Sequence, residues 1–341
     1  MTTLATAEAH PGPTADPGAP LLDIRGLRIG FGPGRAIVDG VDLSVARGRL
    51  LCLVGESGSG KSLTALSIMR LLPPAAQVMA DRYDFDGVSL TGLSEAGVNR
   101  LRGDRIAMVF QEPMTSLNPV MTIGEQMTEI LAAHRGLGRA EARTVALDMV
   151  GRVQIPDPEA RLAAYPHQLS GGMRQRIMIA MALICRPALL IADEPTTALD
   201  VTIQSQILRL IDDLRAEFGT AVLFITHNLA VVAEIADEVA VMYAGRIVER
   251  ASRRDLFDDP MHPYTLSLFA AMPRAGDVGR RLASIEGQVP QVAAMPAVCR
   301  FAPRCPFAVD RCRAEDPPLR AVKAGHLAAC WRAPLEESAG A

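Results

Sequence analysis

The run Gly55-Glu56-Ser57-Gly58-Ser59-Gly60-Lys61-Ser62 has the spacing G-x-x-x-x-G-K-S. Its glycines let backbone N–H groups close around phosphate oxygens. A helix that follows adds the positive end of its dipole. Lys61 sets a point charge on the outer phosphates, and Ser62 offers a hydroxyl to Mg²⁺. Further along, the apolar run Leu189-Leu190-Ile191-Ala192 delivers Asp193 and Glu194. Asp193 in that position holds Mg²⁺, usually through water, and Glu194 is placed as general base for an attacking water. A lone Asp at a strand end commonly just faces solvent. An Asp-Glu pair after an apolar strand, in a chain with such a glycine loop, points to hydrolysis of a Mg²⁺–nucleoside triphosphate.

Those residues need strands to deliver them and helices behind them. Leu50 to Val54 is a short apolar strand ending at the glycine loop. Ser62 to Leu72 carries Ala65, Ile68, Met69 and Leu72 at helical spacing, with Pro73-Pro74 as the stop. Leu22 to Leu50 reads as short β segments broken by glycines. Ile106–Phe110, Leu189–Ala192 and Ala221–Thr226 read as buried strands. Ile123 to Val153 reads as helical, Ser170 to Leu183 as a helix opened by a Ser-Gly-Gly turn, and Thr202 to Phe218 as an amphipathic helix. Val239–Met242 and Arg246–Glu249 form a hairpin around Ala244-Gly245. Apolar strands alternating with helices predict an α/β core with a largely parallel sheet. The character changes past Ser252, where Pro becomes frequent and Arg and Cys gather, so a boundary is expected near residues 251–275.

Composition bounds the partners. The chain has 341 residues, 49% hydrophobic and 21% charged, enough for a large buried core. A net charge of −3 and 4% aromatics argue against nucleic acid as a partner, because basic patches and stacking platforms are missing. No apolar run reaches the ~18 residues that span a bilayer. Ile177 to Cys185 is the longest candidate and is closed by Arg186 and Pro187. Met1 to Pro20 lacks the basic and apolar regions of a signal peptide and is expected to be a disordered tail. A cytosolic protein is expected, peripheral if it works at a membrane.

Leu169-Ser170-Gly171-Gly172-Met173-Arg174-Gln175, shortly before the Asp193 strand, resembles the signature motif of the ABC-type ATPases. The resemblance implies that Ser170, Gly171 and Gly172 bind the γ-phosphate of an ATP held by a partner subunit, identical or paralogous, in a head-to-tail dimer. Gln111 is similar to the Q-loop glutamine, which contacts Mg²⁺ or the water and senses the transporter subunit. Ala198-Leu199-Asp200 is similar to the D-loop, and His227, after the strand Ala221–Thr226, to the switch histidine on the γ-phosphate. Taken alone, His227 would more often be structural. Phe31 is similar to the aromatic that stacks on adenine, with packing inside the β region as its alternative. The resemblance thus implies ATP on Phe31, Gly55, Ser57, Gly58, Ser59, Gly60, Lys61 and Ser62, Mg²⁺ on Ser62, Gln111 and Asp193, and catalysis by Glu194, His227 and Gln111.

The branch is suggested by three stretches. Phe110-Gln111-Glu112-Pro113-Met114-Thr115-Ser116-Leu117-Asn118-Pro119, His262-Pro263-Tyr264-Thr265 and Gly287-Gln288-Val289-Pro290 are similar to ATP-binding subunits of oligopeptide and dipeptide importers. Such a subunit sits on the cytoplasmic face of the membrane under two permeases, and an extracytoplasmic binding protein delivers the peptide. The fold implied is α/β: a P-loop NTPase core with an antiparallel β subdomain and a helical signature subdomain, plus a small Cys-rich C-terminal domain. The expected divisions are a tail at 1–20, an ATPase domain at 21–255 with its helical part at about 112–175, and an extension at 256–341. Import of nickel or another small solute is the alternative cargo. A non-transport ABC ATPase is a further alternative, disfavoured because such chains usually carry two nucleotide domains or a long coiled coil. The signature motif argues against a simple P-loop kinase or GTPase.

Two of the six cysteines, Cys52 and Cys185, lie in apolar stretches and read as core thiols. The others follow the spacing Cys299-x₅-Cys305-x₆-Cys312-x₁₇-Cys330. Four thiolates close a tetrahedral Zn²⁺ site or hold an iron–sulfur cluster. The gaps exceed the two to four residues usual within zinc ligand pairs. The wider perimeter of a [4Fe–4S] cluster suits them better, and the pattern also resembles peptide-importer ATPases that carry one. The ranking is cluster, then zinc, then reduced thiols, with a structural staple as the role. Arg300, Arg304, Arg311 and Arg313 either offset a cluster's charge or form a solvated face.

Overall fold

The computed structural model describes residues 18–32, 34, 36–111, 116–197, 200–272, 285, 287–291 and 295–335. Most of the expected tail, residues 112–115, and Ala198 and Leu199 of the expected D-loop lie outside the described residues. The chain first lays down β1 (Leu22–Phe31), β2 (Val38–Val45), β3 (Leu50–Val54), β4 (Ala76–Met79), β5 (Arg82–Phe85) and β6 (Val88–Ser89). It continues with β7 (Ile106–Val109), β8 (Leu189–Asp193), β9 (Ala221–Thr226), β10 (Glu238–Tyr243), β11 (Arg246–Ser252), β12 (Arg320–Lys323) and β13 (His326–Ala328).

Two sheets result. One is antiparallel, in the order β2-β1-β5-β6 with β4 also on β1. The other runs β12-β13-β11-β10-β3-β9-β8-β7. Within it β10, β3, β9, β8 and β7 are parallel, and β11, β13 and β12 join antiparallel at one side. The apolar runs explain the parallel part. Alternate residues of β3 face opposite cores, Leu50, Cys52 and Val54 on one side and Leu51 and Leu53 on the other. Leu190 and Ala192 oppose Leu189 and Ile191 in β8 in the same way. A strand buried on both faces must be apolar throughout, and each such side chain contributes roughly 1.5–3 kcal/mol by leaving water.

The helices differ from expectation at two places. The helix after the glycine loop spans Lys61–Ile68 and ends before Leu72, because Arg70 takes a left-handed φ of 49°. Pro73-Pro74 therefore lies beyond its end. The expected run Ile123–Val153 is two helices, Ile123–Arg135 and Arg139–Arg152. Gly136 ends the first at φ 62°, its N–H returning to the Ala132 carbonyl, a left-handed C-cap that a residue with a Cβ adopts at a cost. Thr122 and Glu125 form a reciprocal capping box at its start.

The C-terminal stretch returns to the main body. Leu327 and Ala328 pair with Arg250 and Glu249 of β11. Tyr264, Met295 and Phe301 are buried in the core that covers the parallel sheet. The Glu249 carboxylate is fully buried and accepts from the backbone N–H of Met261 (2.6 Å) and of His262 (3.0 Å), with His326 Nε2 at 2.7 Å. A buried charge held by this many partners fixes the return of the chain to the sheet.

Candidate functional site

The site gathers at the C-terminal ends of three adjacent parallel strands. β3 ends in the glycine loop, β8 in Asp193 and Glu194, and β9 in His227. At Gly55 a Cβ would stand 2.1 Å from the Met242 carbonyl oxygen. At Gly60, the N-cap of the helix Lys61–Ile68, φ is 104°. Neither position accepts another side chain without moving backbone.

Lys61 is buried, and its Nζ donates to the carbonyls of Gly55 (2.8 Å) and Glu56 (2.9 Å). Burial lowers its pKa, opposed by the charges of Glu194, Asp193 and Glu56. The ammonium is thus held by neutral oxygens, an arrangement that a polyphosphate can replace. Ser62 Oγ donates to Asp193 Oδ1 at 3.1 Å. Burial pushes the Asp193 carboxyl up, and the Glu194 charge adds to it, against the Ser62 hydrogen bond and Lys61. A hydroxyl beside a carboxylate whose ionised form burial penalises makes a donor set that a divalent cation would favour in its charged form. The residues present fit Mg²⁺ there.

Glu194 stands at the centre of the remaining polar groups. Its φ is 47°, left-handed for a residue with a side chain, and its N–H donates to the Ile225 carbonyl at 3.0 Å. Strain of this sort clusters at functional sites. One carboxylate oxygen lies 3.1 Å from His227 Nδ1; the other accepts from Thr197 Oγ1 at 2.9 Å and Gln111 Nε2 at 3.4 Å. Burial raises its pKa, but the hydrogen bonds from His227 and Thr197 outweigh that and hold it below the ordinary value. Glu194 is therefore ionised at neutral pH, as a base must be. The structure brings Gln111, Glu194 and His227 together and sets Lys61, Ser62 and Asp193 beside them.

The other candidate residues lie elsewhere. Ser170 caps the helix Gly171–Leu183, its Oγ accepting from the Met173 N–H at 3.3 Å. Gly171 and Gly172 form the first turn, and Gly172 packs toward Ile203. Asp200 caps the helix Val201–Phe218 through the Ile203 N–H at 2.9 Å. Phe31 ends β1 and is 40% exposed.

Sequence reasoning passed over Thr197, whose place three residues past Glu194 in a tight turn was the available signal. It also gave Tyr264 no role at the loop, although its hydroxyl receives the Glu56 N–H at 2.8 Å. No local pattern could have found that contact.

The cysteine segment is a different kind of place. Cys312 and Cys330 are buried, Cys299 and Cys305 half-buried, and all four are free thiols. Burial pushes Cys299 up, and pushes Cys305 and Cys330 to about 11. The thiols also raise one another, Cys305 through Cys330, Cys299 and Cys312. Among the described residues no three or more His, Cys, Asp or Glu side chains stand in a metal-holding arrangement, so the geometry does not support the expected cluster or zinc site. The arginines there divide. Arg311 and Arg313 are solvated, whereas the buried Arg300 and Arg304 point to Asp39 and Glu56 of the main body.

Comparison with known proteins follows the same division. The family described as "ABC transporter" matches residues 38–197, and "Oligopeptide/dipeptide transporter, C-terminal region" matches residues 248–312. A putative peptide import ATP-binding protein of Brucella melitensis is 53% identical over 328 residues, covering 92% of this chain and 97% of that one. The oligopeptide transport ATP-binding protein OppD of Salmonella typhimurium is 47% identical, covering 93% and 95%. The dipeptide transport ATP-binding protein DppD of Escherichia coli is 48% identical, covering 93% and 98%. Among solved structures, cbiO1 of Clostridium perfringens superposes with a TM-score of 0.62 at 27% identity, over 70% of this chain and 91% of that one. A dimeric ATP-binding cassette in a post-hydrolysis state with ADP and Pi gives 0.58 at 26%, over 68% and 99%.

Proposed function

The chain belongs to the ABC transporter family, as an ATP-binding protein of the oligopeptide/dipeptide type, and on that premise we propose that it hydrolyses Mg·ATP to drive peptide import through membrane permeases. The carrying observation is the constellation at the ends of β3, β8 and β9: buried Lys61, the Ser62–Asp193 pair, and Glu194 held by His227, Thr197 and Gln111. The loop amides and Lys61 bind the outer phosphates. Ser62 and Asp193 would hold Mg²⁺, whose charge would offset that of the outer phosphates. Glu194 takes the proton of the attacking water, and His227 moves from Glu194 to the γ-phosphate as that oxygen arrives. Gln111 reports the state of the site to the permease.

The test is Glu194→Gln in the assembled transporter. The amide keeps the shape and loses the base, so ATP binding is retained and turnover falls by about 10²–10⁴-fold, the usual worth of a general base. Turnover near that of the unaltered protein removes Glu194 from the role.

The same reading completes the site across a dimer. The exposed Ser170–Gly172 turn offers a hydroxyl and helix N-terminal amides of the kind that bind phosphate. The partner is a second ATP-binding subunit, and the membrane partners are two permeases fed by an extracytoplasmic binding protein. Among the described residues no helix is long and apolar enough to cross a membrane, which accords with peripheral attachment at the cytoplasmic face. Co-purification of permeases checks the assembly, and ribosomes or DNA in their place would refute it.

For the four cysteines the reading is a [4Fe–4S] cluster that staples the C-terminal segment, with Zn²⁺ as the alternative. Its support is the sequence spacing Cys299-x₅-Cys305-x₆-Cys312-x₁₇-Cys330. Iron and acid-labile sulfide in anaerobically purified protein support the cluster, and stoichiometric zinc without iron refutes it.

A further inference from the structure

Glu56 is the one carboxylate within Gly55–Ser62, and it should oppose a polyphosphate. The structure gives it a cationic partner. Arg304 grips it with both ends of its guanidinium, Nη1 to Oε2 at 2.7 Å and Nη2 to Oε1 at 3.0 Å. This is the planar two-point geometry that Arg makes and Lys cannot. The Arg304 side chain is only 6% exposed. It also donates to the Ile285 carbonyl at 3.3 Å and the Gly287 carbonyl at 3.4 Å, and lies 5.7 Å from the centre of the Tyr243 ring. The Glu56 N–H meanwhile donates to Tyr264 Oη at 2.8 Å. Tyr264, Tyr243 and Phe301 pack with ring centres 4.7–5.5 Å apart. One loop residue is thus held at its backbone and at its side chain by the C-terminal segment, 208 and 248 positions away.

We propose that Arg304 is a positioning residue for the nucleotide loop: it draws the Glu56 carboxylate away from Lys61 and the phosphates, and so couples the cysteine segment to ATP affinity. Lys61 Nζ already donates to the Glu56 carbonyl at 2.9 Å. Released, the Glu56 carboxylate competes with the γ-phosphate for that ammonium and repels the nucleotide's charge. Arg304 itself sits in the turn Ala302–Arg304, between Cys299 and Cys305. Whatever orders that turn therefore orders the loop. The neighbouring arginines do not offer a rival anion site, since Arg246 and Arg300 are both engaged by Asp39.

The inference rests on Gly55–Ser62 being the nucleotide site, and the experiment separates the two. Mg·ATP affinity is measured by calorimetry on the full chain, with thermal melting read alongside. Arg304→Met is expected to raise Kd about ten-fold, and in a Glu56→Gln background, where the competing charge is gone, by less than about two-fold, the non-additivity of a coupled pair. Arg304→Lys recovers part of the loss. If Arg304→Met does not fold, Arg304→Lys carries the test in both backgrounds, with an expected rise of about three-fold that Glu56→Gln removes. An unchanged Kd, or the same penalty in both backgrounds, overturns the proposal. Lys61→Ala is the control: undiminished ATP binding there would remove the nucleotide site itself, whereas lost binding there with no Arg304 effect overturns only the brace.

Discussion

The nucleotide loop and the cysteine segment both present donors for a ligand, yet they hold them differently. At the loop and the strand ends beside it the charged groups and the Ser62 hydroxyl have internal partners: Lys61 on two carbonyls, Ser62 on Asp193, Glu194 on His227 and Thr197. In the cysteine segment burial raises the pKa of Cys299, Cys305 and Cys330 and so keeps those thiols protonated. The first region is pre-organised by short, rigid strand ends, so a ligand exchanges one set of contacts for another. The second is set by Pro-rich connections, and among the described residues its cysteines form no metal-holding arrangement. Preorganisation of the first kind is what a catalytic site requires.

The largest effect that sharpens this contrast is expected at Gly55→Ala. The new Cβ meets the Met242 carbonyl at 2.1 Å, and backbone there has no room to yield. Chemical denaturation should show a loss of about 3 kcal/mol or more, with ATP binding lost as well. A variant that melts and binds like the parent would show that the loop is not rigid.

A second difference is acid response. His262 is fully buried, and burial lowers its pKa to about 4 against the Glu249 charge. The unfolded state takes up its proton near pH 6.5, before the folded state does. Its contribution to stability is therefore complete above pH 6.5 and is lost as pH falls from 6.5 toward 4. At most about 3 kcal/mol is at stake. The Nδ1 that accepts the Tyr264 N–H at 3.0 Å would be the atom protonated. Denaturant melts across that range should slope for the parent and flatten for His262→Gln. Glu194, held low, keeps its contribution until pH falls below about 4.5, so a flat parent curve between pH 6.5 and 4.5 would erase the contrast.

The smallest effect concerns thiol reactivity. In metal-free folded protein, Cys299 and Cys305 should alkylate first, since they are only half-buried, and Cys52 last, since its thiol is pushed far up by complete burial. Rates should rise about ten-fold per pH unit between 7 and 9, because the thiolate is the reactive form. Equal labelling of all six at neutral pH would mean that the segment is open.

Much of the nucleotide end was readable because its chemistry is local. β3, β8 and β9 announce themselves as unbroken apolar runs, and the residues that end them are adjacent in sequence. β4, β5 and β6 gave no signal: they are two to four residues long and partly exposed, and the strands they pair with, β1 for β4 and β5 and β5 for β6, specify them more than their own side chains do. The break at Gly136 was hidden because apolar spacing continues on either side, at Leu131 and Ala142, while one left-handed residue ends the helix. β12 and β13 are short and lie far from β11 in sequence. The hold of Tyr264 and Arg304 on Glu56 belongs to the same class. Contacts across some 200 residues leave no periodicity to read.

The strands β13 and β12 carry one more consequence. They are laid along β11, which would otherwise end the main sheet with a row of unpaired backbone groups. The outermost strand is then only Arg320–Lys323, short and flanked by two cations. Such an edge is a poor template for a neighbouring molecule's strand. The C-terminal stretch thus also guards the sheet against edge-to-edge aggregation, keeping each copy a separate body until another surface chooses its partner.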